Sequence, residues 1–216
     1  AMTAHKVGTF NGRLGQALRE VPALLDEYDL DWLALQEVGG RKRVKALRRM
    51  LKGHGYRVYA TAGGDTAIVV RRGLADFPLL HWLGGIGWER KPGRPGLHPP
   101  REGLSVRVGG REGYRVASVH LPPKAAPGQP LRVEARYAVV ARLAVVSARW
   151  RRRGRAYVLA GDWNVEAGHP LLAPLVGHDE GFGVDRFLVH GVAVTDYRPV
   201  ASRLSDHRPR IATVHY

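Results

Sequence analysis

The 216-residue sequence contains no cysteine. Disulfide bonds and thiolate metal sites are therefore excluded, and with them a small secreted fold held together by disulfides. The sequence also lacks an uninterrupted apolar stretch of the roughly 20 residues that a membrane-spanning helix needs. The best candidate, residues 137–148, is interrupted by Arg142, and the N-terminus has no apolar signal core. We expect a cytoplasmic protein without membrane association, and by default a monomer.

Acidic residues are scarce: 19 stand against 34 basic residues, which gives a formal charge of +15. A bias toward arginine explains which basic residue is used, but it does not explain the shortage of acidic ones. Positive potential attracts phosphates, and contact with a polyanion releases its condensed counterions. The charge therefore favours nucleic acid as the partner.

Short hydrophobic runs separated by glycine and proline predict many strands in one domain that covers residues 1–216. The chain is long enough for a two-layer core, and no internal repeat or long linker divides it. Strands and helices in mixed order favour two packed sheets with helices outside. Strands are predicted at residues 7–10, 32–35, 57–60, 67–71, 79–83, 103–108, 114–121, 157–160, 187–189, 192–197 and 211–215.

Three helices are predicted from apolar spacing. The first begins near Leu14 and either kinks or restarts at Pro22. The second, residues 42–51, is strongly basic, and the third, residues 131–152, is the longest. The predicted core-facing residues are Leu14, Leu18, Val21 and Leu25 in the first helix and Val133, Tyr137, Val140 and Ala144 in the third.

Four short polar segments follow strand-like runs. Together they supply carboxylates, an amide and two imidazoles, which are the groups that a metal-dependent phosphoester hydrolase uses. Each segment alone would also fit an ordinary turn. Their combination in one domain points to an enzyme. The segments are Gln36-Glu37, Ser118-Val119-His120, Gly161-Asp162-Trp163-Asn164 and Ser205-Asp206-His207.

These segments, with Thr9-Phe10-Asn11 and Val184-Asp185-Arg186, resemble the endonuclease/exonuclease/phosphatase superfamily over nearly the whole chain. That superfamily has the fold of deoxyribonuclease I and exonuclease III. The resemblance implies an α/β (α+β) four-layer sandwich, in which two packed mixed β-sheets are flanked by helices. It also implies hydrolysis of a phosphoester with Mg²⁺ as cofactor, or with Mn²⁺, which oxygen and imidazole ligands do not distinguish.

Magnesium prefers hard oxygen ligands and keeps several waters, so one or two carboxylates suffice to hold it against a substrate phosphate. Glu37 ends a strand and is the first predicted metal ligand, with a surface glutamate as the alternative. Asp206 is the second predicted carboxylate. By the resemblance, Asn11 lies near the metal and holds a ligand or the water.

The predicted catalytic residues surround the attacking water. Asp162 would orient or deprotonate that water, and Asn164 would donate its amide N–H groups to the phosphate oxygens. His207 would contact the scissile phosphate or the water. By the resemblance, Asp185 accepts the other ring N–H of His207 and so fixes its tautomer. Since no Ser, Cys or Tyr nucleophile stands in these segments, water would attack the phosphorus directly.

His120 resembles the histidine that protonates the leaving oxygen or binds the phosphate in deoxyribonuclease-like enzymes. The alternative is a histidine at the end of a strand that only bonds to the backbone. A carboxylate usually orients such a histidine, and Asp65 is one possibility. Trp163 is interpreted as a packing residue.

Two basic regions are candidates for contact with nucleic acid. Residues 41–57 hold no acidic side chain, and Arg41, Arg43 and Arg48 are the predicted contacts there. A second region mixes aromatic and basic residues in a loop, where Trp88 would stack on a base and Arg101 would bind a phosphate. Either region could equally be a solvated surface. Basic residues 149–155 also follow a helix C-terminus, where cations favourably meet the helix dipole.

Two other functions remain open at this point. One is a phosphatase of the same fold acting on phosphoinositides or on a small phosphorylated molecule. The other is an inactive nucleic-acid-binding module. The sequence does not distinguish endonuclease from exonuclease action, or one metal ion from two.

Overall fold

The computed structural model describes residues 3–83, 87–90, 96–181 and 183–216. Strands lie at every predicted run, with ends shifted by a few residues. Three short strands, at residues 88–89, 97–98 and 178–180, were not predicted. The helices are α1 (Val21–Glu27), α2 (Arg41–Met50) and α3 (Pro130–Arg152). The strands are β1 (Ala4–Asn11), β2 (Trp32–Gln36), β3 (Tyr56–Ala60), β4 (Ala67–Arg71), β5 (Ala75–Leu83), β6 (Trp88–Glu89), β7 (Leu97–His98), β8 (Glu102–Val108), β9 (Tyr114–His120), β10 (Tyr157–Asp162), β11 (His178–Glu180), β12 (Asp185–His190), β13 (Ala193–Pro199) and β14 (Arg210–His215).

The strands form two six-stranded mixed sheets. The first has the order β13-β14-β1-β2-β4-β3 and the second the order β11-β12-β10-β9-β8-β5. Each sheet has one parallel pair near its middle, β1 with β2 and β9 with β10. The remaining neighbours in both sheets are antiparallel. β6 and β7 make a separate two-stranded ribbon.

The two sheets pack face to face over a hydrophobic core that includes Trp32, Val106 and Phe187. A second cluster joins the outer face of the first sheet to α1 and α2, with Leu25 and Leu47 at its centre. A third joins the second sheet to α3. The predicted four-layer sandwich is confirmed.

Buried polar side chains also connect the sheets. The amide nitrogen of Gln36 donates to the hydroxyl of Ser118 at 3.1 Å, and that hydroxyl donates to the Leu35 carbonyl at 2.8 Å. The amide oxygen of Gln36 accepts from the hydroxyl of Thr9 at 3.3 Å. Because an unpaired buried polar group is costly, this network fixes how the ends of β2 and β9 meet.

The start of the first helix differs from the sequence prediction. Residues 18–20 form a single 3₁₀ turn, and α1 begins at Val21 with Pro22 in its first turn. A proline fits there because the first N–H groups of a helix have no partner within it. Leu14 precedes this helix and is 65% exposed, so its predicted core position is wrong.

The buried face of α3 also differs from the prediction. Val133 and Tyr137 are exposed, and Tyr137 keeps 60% of its surface accessible. The face packed against the second sheet instead carries Val139, Leu143 and Trp150, and Val140 is buried as predicted. The buried residues follow one another at helical spacing from Val139 to Trp150. Arg136 also points inward, where a nitrogen of its guanidinium donates to the Asn164 carbonyl at 3.1 Å. No helix of the described residues has the length and apolarity needed to cross a bilayer.

The orientation of α3 is tested by truncating two of its side chains. Leu143→Ala should lower the free energy of unfolding by about 2–5 kcal/mol, because it leaves a cavity between α3 and the second sheet. Tyr137→Ala, on the same helix, should change it by about 0.5 kcal/mol or less, because the side chain is already in solvent. Urea unfolding followed by circular dichroism measures both. A larger loss for Tyr137→Ala than for Leu143→Ala would restore the predicted face.

Candidate active site

The ends of four central strands meet at one edge of the sandwich. In the first sheet, Asn11 at the end of β1 lies opposite Gln36 at the end of β2. In the second, Asp162 at the end of β10 lies opposite His120 on one side and Asp185 on the other. Parallel neighbours end at the same edge of a sheet, so their terminal polar side chains converge. Most residues of the predicted site follow from this register.

Asp162 lies at the centre of this edge. Its Oδ2 accepts a hydrogen bond from the amide nitrogen of Asn11 at 3.0 Å, and its Oδ1 accepts the backbone N–H of Asn164 at 3.0 Å. The same Oδ2 lies 3.9 Å from Nε2 of His120 and 3.9 Å from Nε2 of His207. The carboxylate is buried, so neighbouring donors rather than bulk water solvate it.

His207 and Asp185 form a close pair. Nδ1 of His207 donates to Oδ2 of Asp185 at 2.7 Å. This hydrogen bond raises the pKa of His207 to about 9 in spite of the partial burial of the ring. The imidazole is therefore a cation at neutral pH, and its Nε2–H side faces Asp162. Burial raises the pKa of Asp185, and its second oxygen is buried without a hydrogen-bond partner among the described residues.

His120 has a carboxylate partner in Asp65, from the loop between β3 and β4. Nδ1 of His120 lies 3.2 Å from Oδ2 of Asp65, and Nη1 of Arg101 donates to the other carboxylate oxygen at 2.8 Å. Burial alone would raise the pKa of Asp65, but His120 and Arg101 lower it to about 2. The ionised carboxylate assigns the Nδ1–H tautomer to His120, so Nε2 accepts from Nη2 of Arg101 at 3.3 Å.

Glu37 brings a further carboxylate to the same place. Its Oε1 lies 3.7 Å from Nε2 of His120, and its Oε2 accepts the backbone N–H of Leu14 at 3.1 Å. Glu37 and Asn164 both have a left-handed backbone, with φ of +50° and +48°. Such values are uncommon outside glycine and cluster at functional sites. Both residues are therefore held by the surrounding turns in conformations that local preference disfavours.

The donors at this edge fit a divalent cation that prefers oxygen. Ligand atoms of Asp162, Asp185 and His207 all lie within 4.8 Å of one another. Oδ1 of Asp185 is buried without a hydrogen-bond partner among the described residues. Glu37 supplies a further carboxylate beside His120. The carboxylates among these groups are the oxygen donors that Mg²⁺ and Mn²⁺ accept, whereas His207 would have to lose its proton to join them.

Two of the predicted metal ligands have other contacts in the structure. Asp206 is 70% exposed, and its Oδ1 lies 3.9 Å from Nε of Arg13. The amide oxygen of Asn11 accepts the backbone N–H of Arg13 at 2.9 Å, while its nitrogen serves Asp162. Asn11 is therefore placed to hold Asp162 rather than to offer a free oxygen.

One of the two amide N–H groups of Asn164 is already used in a hydrogen bond within the protein. Its amide nitrogen donates to the Leu121 carbonyl at 2.9 Å. A side-chain amide carries two N–H groups, so one remains for a phosphate oxygen.

The structure places only some of the predicted nucleic-acid contacts at the site. Arg101 lies in the site, whereas Trp88 is buried with its ring stacked on His98 at 5.1 Å and Arg101 at 5.0 Å from its centroid. Stacking of Trp88 on a base is therefore not available in this structure. Arg41 and Arg48 on α2 donate to main-chain carbonyls of the loop at Ala62 and of β3 at Val58. Arg43 lines an open cleft beside the site.

A family model described as the Endonuclease/Exonuclease/phosphatase family matches residues 8–207. The chain belongs to this family. Its members hydrolyse phosphoester bonds. The site described above lies at the edge of the sandwich where β1, β2, β9 and β10 end.

Solved structures of this family have the same fold as the chain. A humanized TDP2 from D. rerio has a TM-score of 0.71 at 16% identity, covering 98% of both chains. The TDP2 from D. rerio in complex with a single-strand DNA product has 0.68 at 14%, covering 98% of this chain and 99% of that one. The mannosyl-6-phosphatase Bt3783 from Bacteroides thetaiotaomicron has 0.68 at 14%, covering 98% and 100%. No curated protein matches the sequence.

Two buried arginines that hold the loop around Asn164 were not predicted from the sequence as site residues. Arg136 lies on α3 and holds the Asn164 carbonyl. Arg186 is fully buried and donates to the carbonyls of Val165, Glu166 and Gly183, which fixes the loop after Asn164. The only sequence signal for Arg136 is an arginine within an apolar helical stripe. Trp163 is buried beside Arg186 as the packing interpretation expects.

The pairing of Asp185 with His207 predicts a titration. Asp185→Asn keeps a hydrogen-bond acceptor but removes the negative charge, so the pKa of His207 should fall from about 9 toward 6.5. In the native protein this pairing stabilises the fold fully below pH 6.5, and the stabilisation is lost as pH rises through about 9. NMR titration of the imidazole Cε1–H signals in metal-free protein measures the pKa.

Asp26→Asn is the control for this titration, because the carboxylate of Asp26 contacts the surface residue His54. It should leave the pKa of His207 unchanged. An equally high pKa of His207 in Asp185→Asn would show that the carboxylate is not what holds the proton.

Proposed function

We propose that the protein hydrolyses phosphodiester bonds of nucleic acid, DNA ahead of RNA, with a divalent metal ion, Mg²⁺ or Mn²⁺, as cofactor. The observation that carries the proposal is the convergence of Asp162, His207 and His120 at one edge, with Asp162 Oδ2 3.9 Å from both imidazoles. A buried carboxylate between two imidazoles provides both a base for water and cationic contacts for a phosphate.

Asp162 orients the attacking water and accepts its proton. Asn11 and the backbone of Asn164 hold this carboxylate in place through two 3.0 Å hydrogen bonds. His207, kept cationic by Asp185, binds a non-bridging phosphate oxygen through Nε2–H, and the remaining N–H of Asn164 binds another. These donors face the charge that develops on the phosphate in the transition state.

His120 acts on the leaving side of the phosphate. Asp65 fixes its tautomer, and Arg101 is close enough to bind a phosphate oxygen beside it. For this step His120 must carry a proton on both ring nitrogens, one toward Asp65 and one on Nε2. It would give the Nε2 proton to the leaving oxygen while Asp162 takes the proton of the attacking water.

Glu37 is the proposed first ligand of the metal ion and Asp206 the proposed second. Asn11 would act beside the metal by holding Asp162 in place. A bound divalent ion would stabilise charge on the phosphate oxygens as a Lewis acid. Water is the proposed nucleophile, because the sequence has no cysteine and the hydroxyls of Ser118 and Ser205 donate to main-chain carbonyls.

Nucleic acid is the proposed substrate because of the charge. A formal charge of +15 favours a polyanion that contacts several cationic side chains at once. The D. rerio TDP2 structure with a single-strand DNA product shows that this fold accepts such a ligand.

A phosphatase acting on a small phosphorylated molecule is the second candidate. The similar fold of the mannosyl-6-phosphatase Bt3783 favours it. A cavity of about 470 Å³ beside the site, with Glu37, Asp65 and Arg101 in its wall, also has room for a sugar phosphate. A third possibility is an inactive nucleic-acid-binding module on the same scaffold, which the closely hydrogen-bonded set around Asp162 disfavours.

Asp162→Asn tests the proposed chemistry. The variant keeps the shape of the side chain but removes the base, so turnover should fall at least about 100-fold while oligonucleotide binding changes little. The assay follows cleavage of labelled supercoiled plasmid, linear duplex, single-stranded DNA, abasic duplex, RNA and a phosphoinositide, each with Mg²⁺, Mn²⁺ or EDTA.

Asp196→Asn is the matched control, since Asp196 is exposed on β13 and asparagine tolerates its left-handed backbone. It should cleave like the native protein. Release of phosphate from the phosphoinositide with every nucleic acid intact would replace the nuclease by the phosphatase. Tight binding of nucleic acid with no metal-dependent turnover of any substrate would leave the binding module.

A further inference from the structure

An open cleft lies beside the active site, between the turn after β1, helix α2 and the loop before β14. Its volume is about 550 Å³. Four arginines surround it, and none of the described residues that line it is acidic. The lining residues are Arg13, Gly15, Gln16, Leu18, Arg19, Arg43, Ala46, Met50, Arg203 and Leu204.

Arg13 connects the cleft to the active site. It follows Asn11 by two residues and donates its backbone N–H to the amide oxygen of Asn11. Its guanidinium lies 3.9 Å from Asp206, the neighbour of His207, and donates to the Leu204 carbonyl at 3.4 Å. A strand with its scissile phosphate at His207 could therefore extend past Arg13 toward this cleft.

The turn that forms one wall is held in an unfavourable conformation. Arg13, Leu14 and Gly15 have φ of +49°, +53° and +82°, three consecutive left-handed residues. Only glycine adopts such values without strain. A Cβ on residue 15 would lie 2.9 Å from Cγ of Arg43, so the glycine also lets the stem of Arg43 pack against the turn. Strain of this kind persists where a function requires the geometry.

Arg13 approaches the carboxylate of Asp206, whereas the other three arginines of the cleft have no ion pair among the described residues. Within the part of the chain that the structure describes, Arg19, Arg43 and Arg203 form no salt bridge, and all three are exposed. The nearby carboxylate of Glu20 is already used by the hydroxyl of Ser202 and the backbone N–H of Arg203. Uncompensated guanidinium groups around a concave surface favour a phosphate, which they bind bidentately.

We propose that this cleft binds a second phosphate of the nucleic acid strand whose scissile phosphate lies between Asp162 and His207. The inference rests on the proposed function and specifies its substrate as a strand that extends past the cleavage point on the side of α2. Leu18, Ala46, Met50 and Leu204 give the cleft an apolar floor, which suits the sugar or base attached to that phosphate. A single phosphorylated sugar would not span both positions.

Arg19→Ala/Arg203→Ala tests the cleft by binding alone, with a fluorescent single-stranded oligonucleotide and metal-free protein in EDTA. Affinity should fall about 10-fold, and the slope of log K against log salt should become shallower by about 0.7, since the cleft holds one phosphate and each lost phosphate contact on a single strand contributes about 0.7. Arg152→Ala/Arg153→Ala removes the same charge from exposed positions at the end of α3. An equal loss of affinity in both double variants would show that only net charge matters, and would overturn the proposal. An unchanged salt slope in Arg19→Ala/Arg203→Ala would overturn it too.

Turnover distinguishes the cleft from the reaction. With a thymidine p-nitrophenyl phosphodiester, which has one phosphate, Arg19→Ala/Arg203→Ala should retain kcat/KM within about two-fold of the native value. With the oligonucleotide it should lose about 10-fold, through KM. An equal loss on both substrates would mean that the substitutions distort the site, and would overturn the proposal.

Two results separate this proposal from its alternatives. If the native protein cleaves neither substrate, the proposed function fails, while the binding comparison still decides whether the cleft holds nucleic acid. Vesicles that contain a phosphoinositide serve as the competing anionic surface. If the variant loses vesicle binding and keeps oligonucleotide binding, the cleft belongs to a lipid headgroup and the proposal is wrong.

Discussion

The parallel pairing at the centre of each sheet is the constraint on which the site depends. β1 pairs with β2, and β9 pairs with β10, so each pair ends at one edge. Face-to-face packing then superimposes these two edges, and the buried bonds from Gln36 to Ser118 and from Ser118 to Leu35 fix their alignment. A shift of one residue in either pair would turn the terminal side chains to the opposite face. The chemistry thus depends on register more than on any single contact.

Much of this arrangement was predictable from the sequence because the signals are local. A strand-like run followed by Asp162 or His120 places a polar group at a strand end, and the resemblance to the family supplied the architecture of two packed sheets. Partners that are distant in sequence are harder to predict. Asp65 lies in a loop between two antiparallel strands and meets His120 only after the sheets pack. Arg136 interrupts an apolar helical face, and spacing alone treated Tyr137 as part of that face.

The buried face of a helix is equally hard to predict from local spacing. A period of 3.6 residues identifies an apolar stripe, but α3 carries apolar residues on more than one side, so the stripe does not select the buried face. In the structure the side chains from Val139 to Trp150 pack against the second sheet, and Arg136 lies on the same side with its guanidinium donating to the Asn164 carbonyl. Trp88 shows the converse error. An aromatic residue among arginines matches a base-stacking loop, yet burial against His98 and Arg101 uses the same ring for packing.

The charge distribution separates binding from chemistry. The protein is strongly basic, yet the site concentrates Glu37, Asp65, Asp162 and Asp185 at one edge. Carboxylates so close repel each other, and their ionised forms persist only where cations face them. Arg101 and His120 stabilise the ionised carboxylate of Asp65, and His207 interacts with the carboxylates of Asp185 and Asp162. A divalent cation would relieve the remaining repulsion around Glu37 and the unpartnered oxygen of Asp185. The acidic centre therefore favours a metal ion, and the surrounding arginines would attract the polyanion that is proposed as the substrate. These two requirements would account for the concentration of both signs of charge where the sheets end.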